Sequence, residues 1–170
     1  IEDINPDGEC EIECICRKCT CSSRHKVQFW FGQEIRCPSC GLINFIDPFQ
    51  DAVHNTDAFT ARLPEAPKIA LWGAGGIYYK LMHKYDELSG QRFVLVDANE
   101  AQQGLTICKK EIHAPEVIVQ ERIETVIITA LSRKNEIHAS LREKFPSVKQ
   151  VLVPAFDITP GGVVPVLINM

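Results

Sequence analysis

The stretch that decides the fold runs from Lys68 to Asp97 and reads KIALWGAGGIYYKLMHKYDELSGQRFVLVD. Two short apolar runs, 68–72 and 93–96, flank a glycine turn at 73–76 and a segment whose apolar residues recur at helical spacing. The second run ends at an acid. This order of strand, glycine turn, helix, strand and acid is typical of the first unit of a nucleotide-binding α/β domain.

The glycine turn has the chemistry of a phosphate site. Glycines let the backbone turn sharply and approach a phosphate, and the helix N-terminus behind them offers free N–H groups and a partial positive charge. An acid 24 residues after Gly73 is placed to accept hydrogen bonds from ribose hydroxyls, and the polar turn beyond it is placed to touch a ribose or base. The predicted cofactor-binding residues are Gly73, Gly75, Gly76, Ile77, Asp97 and Asn99.

The match to the dinucleotide fingerprint is incomplete. The third glycine of that pattern falls at Tyr78, and Gly76 lies outside the slot. The alternative interpretation is a tight turn in a parallel sheet that binds nothing, because folds of this shape also serve as scaffolds. The surrounding strand–helix–strand pattern favours the nucleotide site.

Composition predicts one domain with a small appendage. The chain has 170 residues, 45% of them hydrophobic, and a formal net charge of −4, so no global basic field attracts nucleic acid. No apolar run approaches the ~20 residues of a membrane helix, and no signal peptide is visible. We therefore expect a cytoplasmic protein without a membrane partner. Because the chain begins with Ile1, we expect a piece of a longer protein with an upstream domain or partner protein.

Seven of the eight cysteines lie before residue 41, and four of them form two C-x2-C pairs separated by seventeen residues. This spacing is a strong signal for tetrahedral zinc, because a two-residue gap lets both thiolates of a turn face one ion. Four thiolates leave no open position, so the predicted zinc is structural. The predicted ligands are Cys16, Cys19, Cys37 and Cys40. Three interpretations, reduced bystanders, alternative ligands or a redox pair, stay open for Cys10, Cys14 and Cys21.

Short strands predicted around these pairs complete the module. Residues 27–31 and 34–36 are predicted to form a hairpin, and 42–46 a third strand. Two cysteine turns and three short strands resemble a zinc ribbon over residues 14–47. Residues 1–13 carry six acids and no base, and we interpret them as a linker to an upstream domain, with a solvated arm or a frayed strand end as alternatives.

Basic residues beside aromatic residues give the same segment a second interpretation. Side chains of these two kinds together bind single-stranded nucleic acid by stacking and charge. The acidic segment directly upstream argues against nucleic acid as a partner, and at least one aromatic face is expected to belong to the core of the ribbon. The residues concerned are Arg17, Lys18, Arg24, His25 and Lys26, with Phe29, Trp30 and Phe31.

The rest of the pattern predicts a Rossmann-like α/β domain with a parallel sheet. Buried strands are predicted at 124–130 and 148–153, the second ended by Pro154, with a helix capped by Ser132 between them. The stretch 161–168 is predicted to add an edge strand or to dock on a partner. The predicted domains are a zinc ribbon with its acidic arm at 1–50, a linker at 51–66 and the Rossmann-like nucleotide-binding domain at 67–170.

The second domain resembles the nucleotide-binding domains of known sugar enzymes. The segments GAGG, VLVDAN, IHAPEVI and IETVIITA, within residues 67–156, are similar to the domain that holds a UDP-sugar in sugar acetyltransferases of the PglD type. They are also similar to the C-terminal domain of sugar C-methyltransferases and to domains of polysaccharide-biosynthesis proteins. The resemblance implies a transferase context with nucleotide binding at the glycine turn and Asp97. Ile77 stands where the acetyltransferases carry their histidine base.

The residues have the parts for binding and none that commit them to a reaction, so no catalytic residue is predicted. The first hypothesis is a nucleotide- or nucleotide-sugar-binding module of a larger sugar- or polysaccharide-modifying enzyme, with a structural zinc ribbon. The second is a fragment of an NAD-dependent oxidoreductase or of a sugar methyltransferase that uses S-adenosylmethionine. The third is a zinc-ribbon protein that docks a protein partner or nucleic acid.

Overall fold

The computed structural model describes residues 1, 4–5, 8–52, 62–159 and 162–170. The chain divides into two compact units. Unit 1 comprises Ile1–Asn55 and Phe156–Pro165, and unit 2 comprises Thr56–Ala155 and Val166–Met170. More than half of the predicted linker lies outside the described residues, so the predicted domain boundaries stay a prediction.

Residues 8–52 of unit 1 form four short strands and one short helix. These are β1 (Glu9–Ile15), β2 (Ser22–Gln28), β3 (Gln33–Arg36), β4 (Ile43–Ile46) and α1 (Pro48–Ala52). β1 pairs with β2 and β3 pairs with β4, both antiparallel, as two separate two-stranded sheets. The hairpin predicted from residues 27–31 and 34–36 is therefore wrong, because β2 ends at Gln28 and takes β1 as its partner.

The acidic segment forms a strand instead of a linker over Glu9–Ile15. Cross-strand charge accounts for this pairing. Glu11 lies opposite Lys26, and Glu13 lies opposite Arg24. Opposite charges at facing positions of an antiparallel pair stabilise it by roughly 0.2–1 kcal/mol each. The linker interpretation is thus wrong for these residues.

An aromatic cluster forms the core of unit 1. Trp30 stacks on Phe49 with 5.2 Å between ring centroids, and both are buried. The ring of Phe156, from the distant part of the chain that belongs to this unit, lies 4.2 Å from Phe29 and 4.7 Å from Trp30. Phe31 remains 46% exposed. Two of the three aromatic residues considered for base stacking are therefore core residues.

Unit 2 contains most of a seven-stranded, parallel-rich sheet and the helices that follow its strands. The elements of the sheet and its connections are β5 (Ile69–Trp72), α2 (Gly76–Lys84), a 3-10 turn (Asp86–Ser89), β6 (Phe93–Val96), β7 (Thr106–Ile107), β8 (Lys110–His113), α3 (Val117–Gln120), β9 (Thr125–Ile128), a 3-10 turn (Leu131–Arg133), α4 (Lys134–Lys144), β10 (Gln150–Thr159) and β11 (Gly162–Asn169). The parts of β10 and β11 that fall within Phe156–Pro165 belong to unit 1.

The strand order of this sheet is β11-β10-β9-β5-β6-β8-β7. β5 runs parallel to both β6 and β9, β10 runs parallel to β9, and β8 runs parallel to β6. Counted in chain order, the five parallel strands read 3-2-1-4-5 from β8 to β10. This order reverses between β5 and β9, which is the arrangement of mononucleotide-binding sheets. The fold is mixed α/β and compatible with a Rossmann-like fold.

All four residues of β5, β6 and β9 are buried, as expected of parallel strands covered on both faces. On one face, Ala70 and Trp72 of β5 pack in a cluster with Ile118 of α3 and with Ile137 and Leu141 of α4. Because side chains alternate along a strand, Ile69 and Leu71 point to the opposite face. Both faces of the central strands thus contribute to the core.

Two predicted boundaries in this region are wrong, and one strand is confirmed. β10 continues through Pro154 to Thr159; its pairing with β9 covers only Gln150 to Leu152, so the missing N–H of Pro154 lies beyond that ladder. Ser132 does not cap α4, because it lies within a 3-10 turn and no side chain caps the helix. β11 is an edge strand as predicted. Among the described residues, none of the helices has the length and apolar character required to cross a bilayer.

Candidate functional sites

The two C-x2-C pairs lie on matching backbone turns. In the first, the N–H of Thr20 donates to the carbonyl of Cys16 at 2.9 Å, and in the second, the N–H of Gly41 donates to the carbonyl of Cys37 at 3.0 Å. Thr20 has a φ of 56° and Gly41 a φ of 74°, so both lie in the left-handed region. The same turn is therefore made twice, once with the residue type that favours it.

The match extends one residue further along each turn. The N–H of Cys16 donates to the carbonyl of Cys21 at 3.0 Å, and the N–H of Cys37 donates to the carbonyl of Leu42 at 2.8 Å. Cys21 thus holds in the first turn the position that Leu42 holds in the second. Burial, followed by the neighbouring charge of Cys37, raises the pKa of the Cys21 thiol.

Four sulfur atoms converge where the two turns meet. The Sγ atoms of Cys16, Cys19, Cys37 and Cys40 all lie within 4.8 Å of one another. The Cys16–Cys40 and Cys19–Cys37 pairs are each 3.6 Å apart. Tetrahedral zinc with Zn–S bonds of about 2.3 Å requires sulfur atoms about 3.8 Å apart. The four cysteines are positioned to bind a metal ion, and their spacing fits zinc.

Backbone donors prepare two of these thiols for ionisation. The N–H groups of Cys19 and Lys18 lower the pKa of Cys16 to about 6. The N–H of Cys40, with that of Ser39, lowers the pKa of Cys37 against the effect of burial. A cation is the natural partner for thiolates held this closely, because it removes their mutual repulsion.

The remaining N-terminal cysteines lie outside the cluster of sulfurs. Cys10 is buried at 5% exposure on β1, and burial raises its pKa. Burial also raises the pKa of Cys14 on the same strand. Among the described residues, only Cys16, Cys19, Cys37 and Cys40 form a metal-binding group.

The basic patch considered for nucleic acid is partly neutralised. Arg24 forms an ion pair with Glu11 at 3.8 Å, and Ser22 donates a hydrogen bond to Glu13 on the neighbouring strand. Phe29 and Trp30 are buried, so Phe31 is the ring of this group that stays exposed for stacking.

The glycine turn of unit 2 depends on Gly73. This residue has a φ of 123°, and a Cβ placed on it would lie 2.7 Å from both the backbone nitrogen and the Cβ of Ala130. The hydroxyl of Thr129, which is buried, donates to the Gly73 carbonyl at 2.7 Å. Gly73 is therefore required for a close approach of β5 to the end of β9. Thr129 was not predicted as a contributor to the turn.

Asp97 holds the glycine turn in place. Its Oδ2 accepts a hydrogen bond from the N–H of Ala74 at 2.8 Å, and its Oδ1 accepts one from the N–H of Asn99 at 2.9 Å. The side chain of Asn99 in turn accepts a bond from Ala101 at 3.1 Å. Each carboxylate oxygen retains a second lone pair, so Asp97 can still accept from a ligand hydroxyl.

Gly75, Gly76 and Ile77 lie at the start of α2. A Cβ on Gly75 would meet no atom within 4 Å, so this glycine opens onto free space. Gly76 is the first residue of the helix, and Ile77 is buried at 8% exposure. Tyr78, in the slot of the missing third glycine, is fully buried. The N–H groups of this first turn have no helical acceptor and are available to an anion.

A cavity of about 310 Å³ opens at the carboxyl ends of the strands. Its wall combines the residues after β5, β6 and β9, which are brought together where the strand order reverses. Of the predicted cofactor-binding residues, Gly73, Gly75, Asp97 and Asn99 line it, together with Trp72, Ala98, Gln102, Ala130, Arg133, Glu136, Ile137 and Ser140. Glu136 was not predicted, because its place here depends on the adjacency of β9 to β5.

No protein-family model and no curated protein matches the chain. A solved structure with some similarity is that of UDP-D-quinovosamine 4-dehydrogenase from Vibrio fischeri. The two chains are 19% identical, with a TM-score of 0.39, over 59% of this chain and 94% of that chain. A likeness this weak identifies neither a family nor a function.

Proposed function

We propose that the chain is a nucleotide- or nucleotide-sugar-binding module of a larger sugar-modifying enzyme, with a structural zinc ribbon in unit 1. The cavity at the reversal of strand order is the observation that supports this proposal most directly. The glycine turn, Asp97 and Asn99 meet there, and open α/β sheets bind ligands in this crevice. The sugar-modifying context and a cytoplasmic location rest on the sequence alone.

The residues divide the work of binding in a simple way. The first turn of α2, at Gly75–Gly76–Ile77, receives a phosphate through backbone N–H groups. Asp97 keeps the turn in position through Ala74 and offers its remaining lone pairs to ribose hydroxyls. Asn99, beside it on the cavity wall, contacts the ribose or base.

The zinc is structural in this proposal. Four thiolates complete a tetrahedral shell and leave no position for substrate or water. A ribbon with two short sheets has little core of its own, so the free energy of metal binding contributes directly to its folding. The predicted module at 1–50 therefore holds its shape through zinc, and the Rossmann-like domain at 67–170 holds the nucleotide.

The test is a thermal-shift panel on zinc-loaded protein with UDP, a UDP-sugar, NAD, NADH and S-adenosylmethionine. A ligand that binds only the folded form stabilises it by about 2.7 kcal/mol at a concentration of one hundred times Kd. A shift with UDP and the UDP-sugar supports the proposal. A shift with NAD or S-adenosylmethionine alone replaces it with the oxidoreductase or methyltransferase alternative, and a flat panel overturns it.

The matched variant for this panel is Gly75→Val. Gly75 has an extended backbone, with φ −97° and ψ −164°, and open space at its Cβ, so valine meets no steric clash and we expect a loss of about 1 kcal/mol from the poorer N-cap residue. The added side chain fills the cavity beside α2. Loss of the nucleotide shift in this folded variant assigns binding to the glycine turn, whereas an unchanged shift places the nucleotide elsewhere.

A further inference from the structure

Arg133 is held at the cavity through the backbone of its loop. The N–H of Arg133 donates to the carbonyl of Ala130 at 3.0 Å, and the N–H of Ala130 donates to the carbonyl of Trp72 at 3.2 Å. Trp72 is the last residue of β5, directly before the glycine turn. These hydrogen bonds thus tie the loop that carries Arg133 to β5, the strand that leads into Gly73.

The guanidinium of Arg133 is only partly engaged. Its Nε donates to Oε2 of Glu136 at 3.0 Å, and both side chains are well exposed, at 65% and 69%. An exposed ion pair of this kind contributes little to stability, because solvent screens the charges. Among the described residues, no other acceptor is recorded for the five N–H donors of this side chain. The guanidinium therefore has two N–H donors available for a bidentate contact with phosphate, and Glu136 competes only weakly for them.

The other charged residues of the cavity make Arg133 important for binding an anionic ligand. Asp97 and Glu136 both bring negative charge to the wall, and Arg133 is the single basic residue among the described residues that line it. A diphosphate placed there without Arg133 meets two carboxylates and only the partial charge of a helix N-terminus. The repulsion has to be offset by the guanidinium.

We propose that Arg133 binds a phosphate of the nucleotide and that Glu136 is its counter-ion in the free protein. This inference rests on the proposed function and adds a specificity element to it: the site selects nucleoside diphosphates over nucleosides through Arg133. On binding, the guanidinium exchanges one oxygen of Glu136 for oxygens of the ligand.

The experiment measures Kd for UDP, uridine, ADP and adenosine by calorimetry on the parent protein, Arg133→Gln, Glu136→Gln and the control Arg142→Gln. Arg142 lies on α4, the helix that carries Glu136, and donates to His138, outside this cavity. We expect Arg133→Gln to weaken whichever diphosphate binds by about tenfold, the loss typical of one charge-assisted contact. Nucleoside affinity should change less than about twofold. Glu136→Gln should strengthen diphosphate binding, and the control should leave it unchanged.

If Arg133→Gln weakens the binding of nucleoside and of diphosphate equally, the inference is overturned, because that pattern indicates that the substitution distorts the cavity. An unchanged diphosphate Kd in Arg133→Gln, with binding abolished in Gly75→Val, overturns the inference and leaves the proposed function intact. Absence of diphosphate binding by the parent protein overturns both. A steeper loss of diphosphate binding with salt in the parent than in Arg133→Gln supports the inference, because salt screens the lost charge pair.

Discussion

The cysteine cluster of unit 1 and the glycine turn of unit 2 are both short motifs that the sequence displays openly, yet they are constructed differently. The four cysteine sulfurs converge in an arrangement that can bind a metal ion. Hydrogen bonds within the protein already hold the glycine turn. Asp97 accepts a hydrogen bond from the N–H of Ala74, and the hydroxyl of Thr129 donates one to the carbonyl of Gly73. The first motif is arranged for a metal ion that would link its sulfurs, whereas contacts within the protein already hold the second.

This difference means that ligand removal should affect the two units unequally. In the proposed function a zinc ion contributes to the folding of unit 1, whereas unit 2 has an extensive buried apolar core. The two tryptophans allow each unit to be followed alone, because Trp30 is buried in unit 1 and Trp72 is buried in unit 2.

The largest effect is expected from Cys16→Ser or from a zinc chelator. Loss of a structural zinc site removes about 10 kcal/mol of metal-binding free energy, which is comparable to the whole stability of a small domain. We expect Trp30 fluorescence to shift to the wavelength of exposed tryptophan while Trp72 stays buried. Single-tryptophan variants Trp72→Phe and Trp30→Phe report the two units separately. Cys108→Ser is the control, and retention of buried Trp30 after chelation contradicts the zinc-dependent fold.

Gly73→Ala is expected to destabilise unit 2 by about 3 kcal/mol. The added Cβ lies 2.7 Å from Ala130, and the φ of 123° is unfavourable for any side chain. Urea unfolding followed by Trp72 fluorescence measures the change. Gly75→Ala is the matched variant, with open space at its Cβ and a stability close to that of the parent. If the two variants have the same stability, the turn is not held as tightly as its contacts indicate.

Asp97→Asn is expected to cost about 1–2 kcal/mol of stability even without ligand, because an amide has one acceptor oxygen for the two backbone donors of Ala74 and Asn99. Asp86→Asn, on the exposed 3-10 turn, is the control. Thermal unfolding in the absence of nucleotide measures the difference. A variant as stable as the parent would show that the carboxylate serves the ligand alone.

The smallest effect, and one of opposite sign, is expected from Thr20→Gly. Thr20 has a φ of 56° in the turn where its counterpart is Gly41, and relief of a left-handed conformation by glycine is worth about 1 kcal/mol. Gly41→Ala is the reciprocal change, since its Cβ would meet nothing within 4 Å and only the φ is penalised. Thermal midpoints of unit 1, read from Trp30, should rise for the first and fall for the second. Parallel shifts would disprove the equivalence of the turns.

The features that sequence predicted well are those encoded within a few residues. The C-x2-C spacing identified the four cysteines whose sulfurs converge, and buried runs identified β5, β6 and β9. The glycines and Asp97 were recognised as one group because a strand and a helix separate them by a regular distance. In each case the signal and the structure lie on the same short segment.

The features that sequence missed depend on which strands become neighbours. Glu136 reaches the cavity because β9 lies beside β5, and Phe156 enters the core of unit 1 from residues far along the chain. The acids of β1 were interpreted as part of a linker or a solvated arm, because the sequence does not show that β2 places basic residues opposite them. The predicted strand ended at Pro154 because proline lacks an N–H for a ladder. The sequence does not reveal that the pairing of β10 with β9 stops at Leu152, before this N–H would be needed.

The contribution of Phe156 to the core of unit 1 has a consequence for synthesis of the chain. Phe29, Trp30 and Phe49 emerge from the ribosome roughly a hundred residues before Phe156, an interval of about 5–20 s at ordinary elongation rates. Both cysteine turns are complete throughout that interval. The nascent module can therefore offer all four thiols to zinc before Phe156 is available to complete its aromatic core.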